Sequence, residues 1–437
     1  MPTELPVTLR VFSLNCWGLR FFSSHCSERY ETIADHLKRE NHDIALLQEV
    51  WSERDFLFLK RKLSKSHPNT HYFRSGMVGS GLAVFSKHTI QNAVLHQYSL
   101  NGQPYMVHHG DWFGGKAVGL VVLNVIGLRV NVYVTHLHAE YSRAEDEYLA
   151  HRILQSWELL QFIRNTWSEA DVLVVGGDLN MHPEDLGNRL LRAYTALRDC
   201  YTHTHMFNGC EDGHTLIADN HFTKKEDLIP FEKGIRIDYI LTKGSGSVNI
   251  KCVSMCTSKG SVPEKTFPYS DHESLTVELT LQHWDGNTTE TASSLSEQVD
   301  VTDESCDVVK KGVIHAEALQ LKAIHLLMAG LLFIALLPFF LCAGIFLFST
   351  VAFLGALCVG VTVSGALLYI LFSIQIKALR ETEAQMKLNL AYLSQTQCRL
   401  SLQAFCSLLL DTRTRRWTRP TLRGIWPKLK RRIRRMR

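Results

Sequence analysis

Residues 172–180, VLVVGGDLN, lead from an apolar run through two glycines to a carboxylate and an amide, Asp178 and Asn180. A continuous run of branched apolar residues predicts a strand that is buried on both faces. The polar residues follow this run directly, and the strand ends of an α/β fold are where loops build sites. The stretch therefore predicts an α/β fold with functional side chains at the end of this strand.

Other stretches of residues 1–282 share this strand-like character. They are VTLRVFSL, DIALLQE, GLAVFSK, VGLVVLNV, LRVNVYVTHL, IRIDYILT and SLTVELTL. Helical patterns lie between them, most clearly over 143–166, where apolar residues such as Leu149, Ile153 and Trp157 recur at helical spacing. This alternation predicts a single α/β catalytic domain over residues 1–282.

Further polar residues stand at the ends of these predicted strands: Asn15, Glu49, His136, Asp271 and His272. Each motif alone also has an ordinary structural reading, because an Asp-His pair is common in surface turns and GGDLN fits a tight turn. Their occurrence at one strand end after another is unlikely to be accidental. The pattern predicts one catalytic site built from several strand ends.

The residue types suit metal-dependent hydrolysis of a phosphodiester, which needs a cation, a base and donors for the transition state. A carboxylate such as Glu49, with the amide oxygen of Asn15, is the ligand type that Mg²⁺ prefers. The sequence has no HxxxH or CxxC pair, so zinc is disfavoured. His272 suits the base, and either Asp271 or Asp238 can set its tautomer.

The C-terminal third has a membrane-like composition. No residue between Lys322 and Lys377 carries a formal charge, so 323–376 predicts a hairpin of two transmembrane helices, with a turn near Ser349 and Thr350. The alternative is a helical pair buried in a soluble core. Residues 377–411 predict an amphipathic helix that lies on the bilayer or pairs with another chain, which makes a homodimer conceivable.

Charge is distributed unevenly along the chain. Residues 412–437 contain 12 Lys or Arg and no acid, which leaves 35 basic and 43 acidic groups in the rest. This basic tail suits anionic lipids, although basic clusters also bind nucleic acid or direct nuclear import. The positive-inside rule then predicts a cytoplasmic tail and, across two spans, a cytoplasmic catalytic domain. The acidic stretch 283–312 predicts a flexible linker. The 11 cysteines, without CxxC spacing, predict reduced thiols.

Six motifs resemble the endonuclease/exonuclease/phosphatase superfamily across residues 8–281. In chain order they are SLNCWG, LLQEVW, YVTHLH, GGDLNMHPED, RIDYIL and YSDHES. The resemblance implies a four-layered DNase I-like sandwich with a magnesium-dependent phosphoesterase site between its two sheets. The stretches FRSGMVGSGLAVFSK and HHGDWFGGKAVGL, together with the hairpin, narrow it to the neutral sphingomyelinases of the sphingomyelin phosphodiesterase 2 type.

This narrower resemblance implies hydrolysis of sphingomyelin in the bilayer to ceramide and phosphocholine, at the endoplasmic reticulum membrane. Glu49 would bind Mg²⁺ with Asn15 beside it, and His272 would be the general base with Asp271 in support. The phosphate and water would be held by Asp178, Asn180 and His136. Asp111 and Lys116 would form a switch near the site, although Lys116 also suits a solvated surface position.

Other functions remain compatible with these motifs. One is a phospholipase C that acts on choline lysophospholipids, another is a nuclease, and a third is an inactive membrane scaffold. Inositol polyphosphate 5-phosphatases are disfavoured because they have a WCDR-type motif where this chain has RIDYIL. A nuclease has little use for a membrane hairpin, so no nucleic-acid partner is expected. An aromatic face would suit a choline cation, and four aromatic residues lie near the motifs: Trp51, Tyr105, Trp112 and Tyr141.

Overall fold

The computed structural model describes residues 6–20, 22–260, 262, 265–283, 293–343 and 347–411. The chain forms two compact units, Met1–Met386 and Lys387–Arg437. Within the described part, the first unit holds the strands and most of the helices, and the second holds the final turns of the last helix. The predicted basic tail, residues 412–437, lies outside the described residues.

The strands supply the centre of the first unit. They are β1 (Val7–Asn15), β2 (Ile44–Gln48), β3 (Asn69–Tyr72), β4 (Ala83–Ser86), β5 (Thr89–Gln97), β6 (Ala117–Val125), β7 (Leu128–His136), β8 (Val172–Asp178), β9 (Arg198–Asp199), β10 (Phe207–Asn208), β11 (Leu216–Ile217), β12 (Gly234–Ile235), β13 (Asp238–Gly244), β14 (Val248–Thr257) and β15 (Leu275–His283). One sheet has the order β10-β14-β15-β1-β2-β4-β3, and a second has the order β5-β6-β7-β8-β13-β9. Strands β11 and β12 pair as a separate ribbon.

The two large sheets pack face to face because neighbouring residues on a strand point to opposite faces. Val11 of β1 and Val174 of β8 belong to one buried apolar cluster that fills the space between the sheets. Phe12, the neighbour of Val11, instead joins a second cluster on the outer face with Tyr30 and Ile33. Burial on both faces explains the continuous apolar runs of these strands.

Helices cover the outer faces. They are α1 (Cys26–Glu40), α2 (Glu53–Lys62), α3 (Asp111–Gly114), α4 (Leu149–Thr166), α5 (Leu186–Thr195), α6 (Cys200–His203), α7 (Leu295–Cys342) and α8 (Phe348–Asp411). Helix α4 is fixed over β7, where Asn131 Nδ2 donates to the Thr166 carbonyl at 2.9 Å. Two sheets between outer helices form a four-layered α/β sandwich, so the predicted fold class is confirmed.

The prediction of a flexible linker over 283–312 is wrong for the residues from 295 onward. These residues form the first turns of α7, and Ser294 caps the helix by accepting a hydrogen bond from the Glu297 N–H at 3.2 Å. Apolar residues such as Val301, Val309 and Val313 recur among the acids and are buried. This helical face lies against α4 and α5, which composition alone did not reveal. Residues 284–292 of the predicted linker lie outside the described residues.

Helices α7 and α8 are long and apolar enough to cross a membrane, by length and composition. Only 6% and 11% of their most apolar windows are buried, which does not fit a helical pair buried in a soluble core. Helix α7 ends at Cys342 and α8 begins at Phe348, so Ser349 and Thr350, where the turn was predicted, are part of α8. Residues 377–411 are helical and belong to α8; that this part of the helix lies on a bilayer or pairs with another chain stays a prediction.

Candidate active site

Strand register brings the predicted residues of the second sheet together at one edge. In the parallel pair of β7 and β8, His136 lies opposite Asp178. In the antiparallel pair of β8 and β13, Asp238 lies opposite the same Asp178. Asp178 therefore stands between a histidine and a second carboxylate, although these three residues are far apart in sequence.

The two glycines before Asp178 permit this close assembly. A Cβ at Gly177 would lie 2.0 Å from the Thr135 carbonyl oxygen of β7, and its φ of 140° is a conformation that other residues rarely adopt. A Cβ at Gly176 would lie 2.5 Å from Leu46 of the opposite sheet. The two glycines thus let β8 lie close to β7 and to Leu46 of the opposite sheet, which places Asp178 in the site.

His272 lies against Asp238. Its Nδ1 is 2.8 Å from Asp238 Oδ2, and its Nε2 is 3.9 Å from Asp178 Oδ2. Burial lowers the pKa of His272, but the charges of Asp238, Asp178 and Asp271 outweigh burial and raise that pKa well above its usual value. Asp238, and not the neighbouring Asp271, is therefore the hydrogen-bond partner of the predicted base.

Glu49 approaches the same edge from the first sheet. Its backbone has a φ of 57°, a left-handed conformation that is uncommon for residues other than glycine and is enriched at functional sites. Asn15 Nδ2 donates to Glu49 Oε1 and to Asp178 Oδ2, both at 3.0 Å, and Trp51 Nε1 donates to Glu49 Oε2 at 3.2 Å. The Asn15 amide therefore bridges two carboxylates across the two sheets.

Asp111 and Lys116 form a buried ion pair beside His136. Lys116 Nζ lies 2.9 Å from Asp111 Oδ1 and 2.7 Å from His136 Nε2. Burial raises the pKa of Asp111, but Lys116 and His138 outweigh it and hold that pKa below its usual range. Because the Lys116 side chain is buried, the reading of this residue as a solvated surface lysine is wrong.

Asn180 and Asp271 complete the edge. Asn180 has a φ of 48°, and its Nδ2 donates to the Leu137 carbonyl at 2.9 Å, which fixes the chain after β8 against the chain after β7. Asp271 accepts a hydrogen bond from Ser270 Oγ at 3.0 Å, and burial raises its pKa to about 6. Both residues line the same cleft as His272.

Similarity to known proteins agrees with this geometry. The model of the Endonuclease/Exonuclease/phosphatase family matches residues 12–272, a range that runs from before Asn15 to His272 and includes every site residue described above. The chain belongs to this family. Since the family is one of phosphodiesterases and phosphatases, the prediction of a hydrolase is confirmed. Together with the two packed sheets, the family also confirms the predicted DNase I-like sandwich.

Individual relatives show which members of this family the chain is similar to. Human Sphingomyelin phosphodiesterase 2 is 52% identical over 283 residues, which cover 65% of this chain and 67% of the human protein. The Inositol phosphosphingolipids phospholipase C of Schizosaccharomyces pombe is 36% identical over 202 residues, 46% of this chain and 48% of the yeast protein. The structure of Sphingomyelinase C from Streptomyces griseocarneus covers 62% of this chain and 99% of its own, with a TM-score of 0.49 and 18% identity. The resemblance to sphingomyelin phosphodiesterase 2 is confirmed.

A cleft of about 170 Å³ opens from the site between His272 and Asn180. Three carboxylates line it, those of Glu140, Asp227 and Asp271. Of these, Glu140 is paired with Arg143 at 2.9 Å and with Arg152 at 3.2 Å. Asn180, His182 and His272 also line the cleft, and its apolar or aromatic side chains are Tyr141, Leu216, Ile229, Phe231, Ile235 and Ile237. A small cleft with acidic and aromatic walls favours an organic cation over an anion.

Asp178, Asp238 and His272 together form a buried cluster that can hold a metal ion, since their ligand atoms all lie within 4.8 Å of one another. Glu49 offers a second, more open carboxylate beside Asp178, because its side chain is 19% exposed. The amide oxygen of Asn15 accepts a hydrogen bond from the Trp17 N–H at 3.0 Å, so the predicted role of Asn15 as a metal ligand would require its amide group to turn over.

The sequence analysis did not identify Arg29, a buried residue that holds two loops of the site together. This buried guanidinium donates to the carbonyls of Cys16 at 2.6 Å, Trp17 at 2.8 Å and Tyr269 at 3.0 Å. It therefore ties the loop after Asn15 to the loop before His272. An arginine within an amphipathic helix gives no sequence signal of such a role.

Of the aromatic residues near the motifs, Tyr141 lines the cleft and donates its hydroxyl hydrogen to Asp111 Oδ2 at 2.7 Å. Trp51 contacts Glu49 through its indole N–H. Tyr105 lies against Phe372 of α8, with 6.1 Å between ring centroids. The four residues therefore have different environments, and only Tyr141 lines the acidic cleft.

Proposed function

We propose that this chain is a membrane-anchored, Mg²⁺-dependent neutral sphingomyelinase that hydrolyses sphingomyelin to ceramide and phosphocholine. The observation that carries the proposal is the placement of His272, held by Asp238, and of Glu49 on either side of Asp178. The proposed base His272 and the partly exposed carboxylate of Glu49 thus both lie beside Asp178. The name of the human relative, Sphingomyelin phosphodiesterase 2, supports this substrate.

His272 acts as the general base. Because its Nδ1 donates to Asp238, its Nε2 is the nitrogen that accepts a proton from water. The water oxygen bonds to phosphorus, the bond between phosphorus and the ceramide oxygen breaks, and that oxygen receives a proton. The products are ceramide and phosphocholine.

The donors of the site stabilise charge on the phosphoryl oxygens. Lys116 is buried, paired with Asp111 and held beside His136, while the Asn180 N–H donates to Asp178 Oδ1 at 2.9 Å and keeps that carboxylate in place. Such preorganised donors are worth more in a buried site than in water. His136 and Lys116 therefore contribute to transition-state binding, and Asp111 positions Lys116.

The donor set fits Mg²⁺, since this ion prefers carboxylates and keeps several waters. Glu49 would hold it, with Asp178 bridged to Glu49 by Asn15. When bound, the ion would neutralise charge on the phosphodiester oxygens. The cluster of Asp178, Asp238 and His272 includes an imidazole, which suits softer ions better.

The acidic cleft takes the choline headgroup. A quaternary ammonium cannot donate a hydrogen bond, and it is bound by aromatic faces and diffuse negative charge. Phe231 and Tyr141 supply rings, while Asp227 and Asp271 supply carboxylates; Glu140 also lines the cleft but is paired with Arg143 and Arg152. The cleft opens at His272, so a headgroup in it leaves the phosphorus beside the base.

The two apolar helices anchor the catalytic domain to an intracellular membrane, with the domain in the cytoplasm. The compartment we propose is the endoplasmic reticulum. The basic tail binds anionic lipids of the same leaflet. A homodimer through residues 377–411 remains a prediction.

A phospholipase C for choline lysophospholipids would use the same headgroup cleft, so it is the second candidate. A nuclease is disfavoured because it has little use for two apolar helices that are long enough to cross a membrane. An inactive scaffold is disfavoured because the base, its carboxylate partner and the donors all converge on Asp178.

The test is hydrolysis of choline-labelled sphingomyelin by the purified full chain in detergent micelles. Phosphocholine release should need Mg²⁺, stop with EDTA and fall to background in His272→Ala. A lyso-platelet-activating factor and an abasic DNA duplex are the competing substrates. Faster turnover of either one, or a wild-type rate equal to that of His272→Ala, would overturn the proposal.

A further inference from the structure

The first turns of α7 are attached to the catalytic domain. Tyr194 of α5 and Thr302 share a hydroxyl hydrogen bond of 2.6 Å, and Gln298 Nε2 donates to the Ala193 carbonyl at 3.2 Å. Further along α7, a Cβ at Gly312 would lie 2.6 Å from the Ala150 Cβ at the start of α4. The helix that leads into the membrane is therefore docked on α4 and α5 and does not move as a free tether.

Helix α8 is attached to the same domain, close to the catalytic edge. Trp157 Nε1 donates to Gln385 Oε1 at 3.0 Å. Gln103 Nε2 donates to Gln375 Oε1 at 2.7 Å, and the Tyr105 ring lies 6.1 Å from that of Phe372. The loop that contains Gln103 and Tyr105 continues directly to Asp111.

The position of these contacts along α8 sets the height of the loop relative to the bilayer. Residues 348–376 are helical and carry no formal charge, and at about 1.5 Å per residue they extend about 43 Å. The hydrocarbon core is only about 30 Å thick, which is shorter than this stretch. Gln320 of α7 lies before the uncharged stretch of that helix and donates to Ser373 Oγ of α8 at 2.8 Å, so in a bilayer that both helices span the last turns before Lys377 lie in the headgroup layer. Phe372 and Gln375 are in those turns, and their partners Tyr105 and Gln103 lie at the same level.

The loop exposes apolar groups at this level. Val107 is 66% exposed, and the rings of Tyr105 and Trp112 are also exposed. A second loop joins them, since the Val78 N–H donates to the Phe113 carbonyl at 2.9 Å and Met77 is 71% exposed. Tyrosine and tryptophan are enriched at membrane interfaces because one end of each ring is polar.

We propose that these exposed residues, Met77, Val78, Tyr105, Val107 and Trp112, form a bilayer contact surface. The surface rests on the proposed membrane-anchored function. It holds the catalytic edge at the headgroup layer, so that a lipid phosphodiester reaches His272 without leaving the bilayer.

The test uses the full chain in vesicles of phosphatidylcholine and sphingomyelin, with Val107→Asp and Met77→Asp as variants. Ile126→Asp is the matched control, since Ile126 is 77% exposed in the β6–β7 turn, at the end of these strands opposite His136. We expect bilayer hydrolysis to fall roughly tenfold in the first two variants and to stay unchanged in the control. Wild type and all three variants should hydrolyse a monomeric short-chain sphingomyelin at the same rate. Equal losses on both substrates, or no loss on vesicles, would overturn the proposal.

A second measurement does not depend on activity. Tryptophan emission of wild type and of Trp112→Phe is compared in vesicles that contain brominated lipids, which quench only rings at the membrane. We expect the quenched fraction to fall in Trp112→Phe, and an unchanged fraction would overturn the contact surface. If no variant hydrolyses any substrate, the proposed function fails while the quenching still decides whether the surface contacts lipid.

Discussion

His272 Nδ1 lies 2.8 Å from Asp238 Oδ2, and β-sheet register places Asp238 opposite Asp178 at the edge of the second sheet. The contact fixes the tautomer of the imidazole, so Nε2 is the nitrogen that faces the cleft. It also places three carboxylates around one histidine, which raises the histidine pKa. The orientation of the proposed base and its raised pKa therefore have one structural origin.

The first prediction concerns pH. As the proposed general base, His272 must be neutral to accept a proton, so activity should rise as pH passes through its raised pKa, which lies above the usual value of 6.5. Asp238→Asn removes the carboxylate that raises this pKa most, so the rising limb should move to lower pH. The maximal rate should fall roughly 100-fold, because the ring loses its orientation. The measurement is kcat/KM as a function of pH.

Asp271→Asn is the matched control for this profile, because Asp271 lies beside His272 but makes no hydrogen bond to its ring. Its rising limb should move less than that of Asp238→Asn. If the rising limb of the pH profile lies at the same pH in Asp238→Asn as in wild type, His272 is not the titrating base.

The second prediction concerns the cation. Glu49→Gln removes one charge from the open carboxylate that Asn15 and Trp51 hold in place. We expect the Mg²⁺ concentration for half-maximal activity to rise roughly tenfold or more, because ligand charge sets affinity for hard cations. The measurement is a Mg²⁺ titration of the EDTA-stripped enzyme. An unchanged requirement in Glu49→Gln, together with a raised one in Asp238→Asn, would place the cation at the Asp178, Asp238 and His272 cluster.

The third prediction separates stability from catalysis at the Asp111 and Lys116 pair. Lys116→Met leaves the buried Asp111 carboxylate without its ammonium, which should cost about 3 kcal/mol of unfolding free energy. The double variant Asp111→Asn with Lys116→Met should regain most of that stability, because no buried charge is left unpaired. Hydrolysis should stay low in both variants, since His136 has lost the ammonium beside it. Thermal unfolding and phosphocholine release are measured side by side; recovered activity in the double variant would refute a direct role for Lys116.

Much of the fold was predictable because most central strands are continuous apolar runs. Strand β14 was not predicted. Its register shifts between Cys252 and Ser254, and this bulge interrupts the alternation of its side chains. Strand β5 was not predicted either, because it is a sheet edge whose residues are largely exposed and polar. The acidic start of α7 was interpreted as a linker because its buried face consists of only a few residues spaced between acids.

The sequence predicted which residues the candidate site brings together. It did not predict which of them form hydrogen bonds with one another. Asp271 and Asp238 were equally plausible partners of His272, because sequence distance does not contain the antiparallel register that aligns Asp238 with Asp178. The burial of Lys116 depends on the turn at Gly115, whose φ is 56° and whose Cβ would meet Gly76 at 2.5 Å. Contacts of this kind depend on long-range packing that local patterns do not encode.

The last prediction tests the headgroup cleft. Asp227 lines the cleft, whereas its neighbour Glu226 does not, so Asp227→Asn and Glu226→Gln form a matched pair that removes one charge each. We expect Asp227→Asn to raise KM for sphingomyelin roughly threefold, a modest change because the residue is solvent-accessible. Phe231→Leu should raise KM by a similar factor through loss of the aromatic face. A choline-free aryl phosphodiester should be hydrolysed at the wild-type rate by all three variants. Equal effects of Asp227→Asn and Glu226→Gln on KM would indicate surface charge alone and would place the choline group outside this cleft. Equal losses on both substrates would indicate a structural defect of that variant, and the decision would then rest on the other cleft variant.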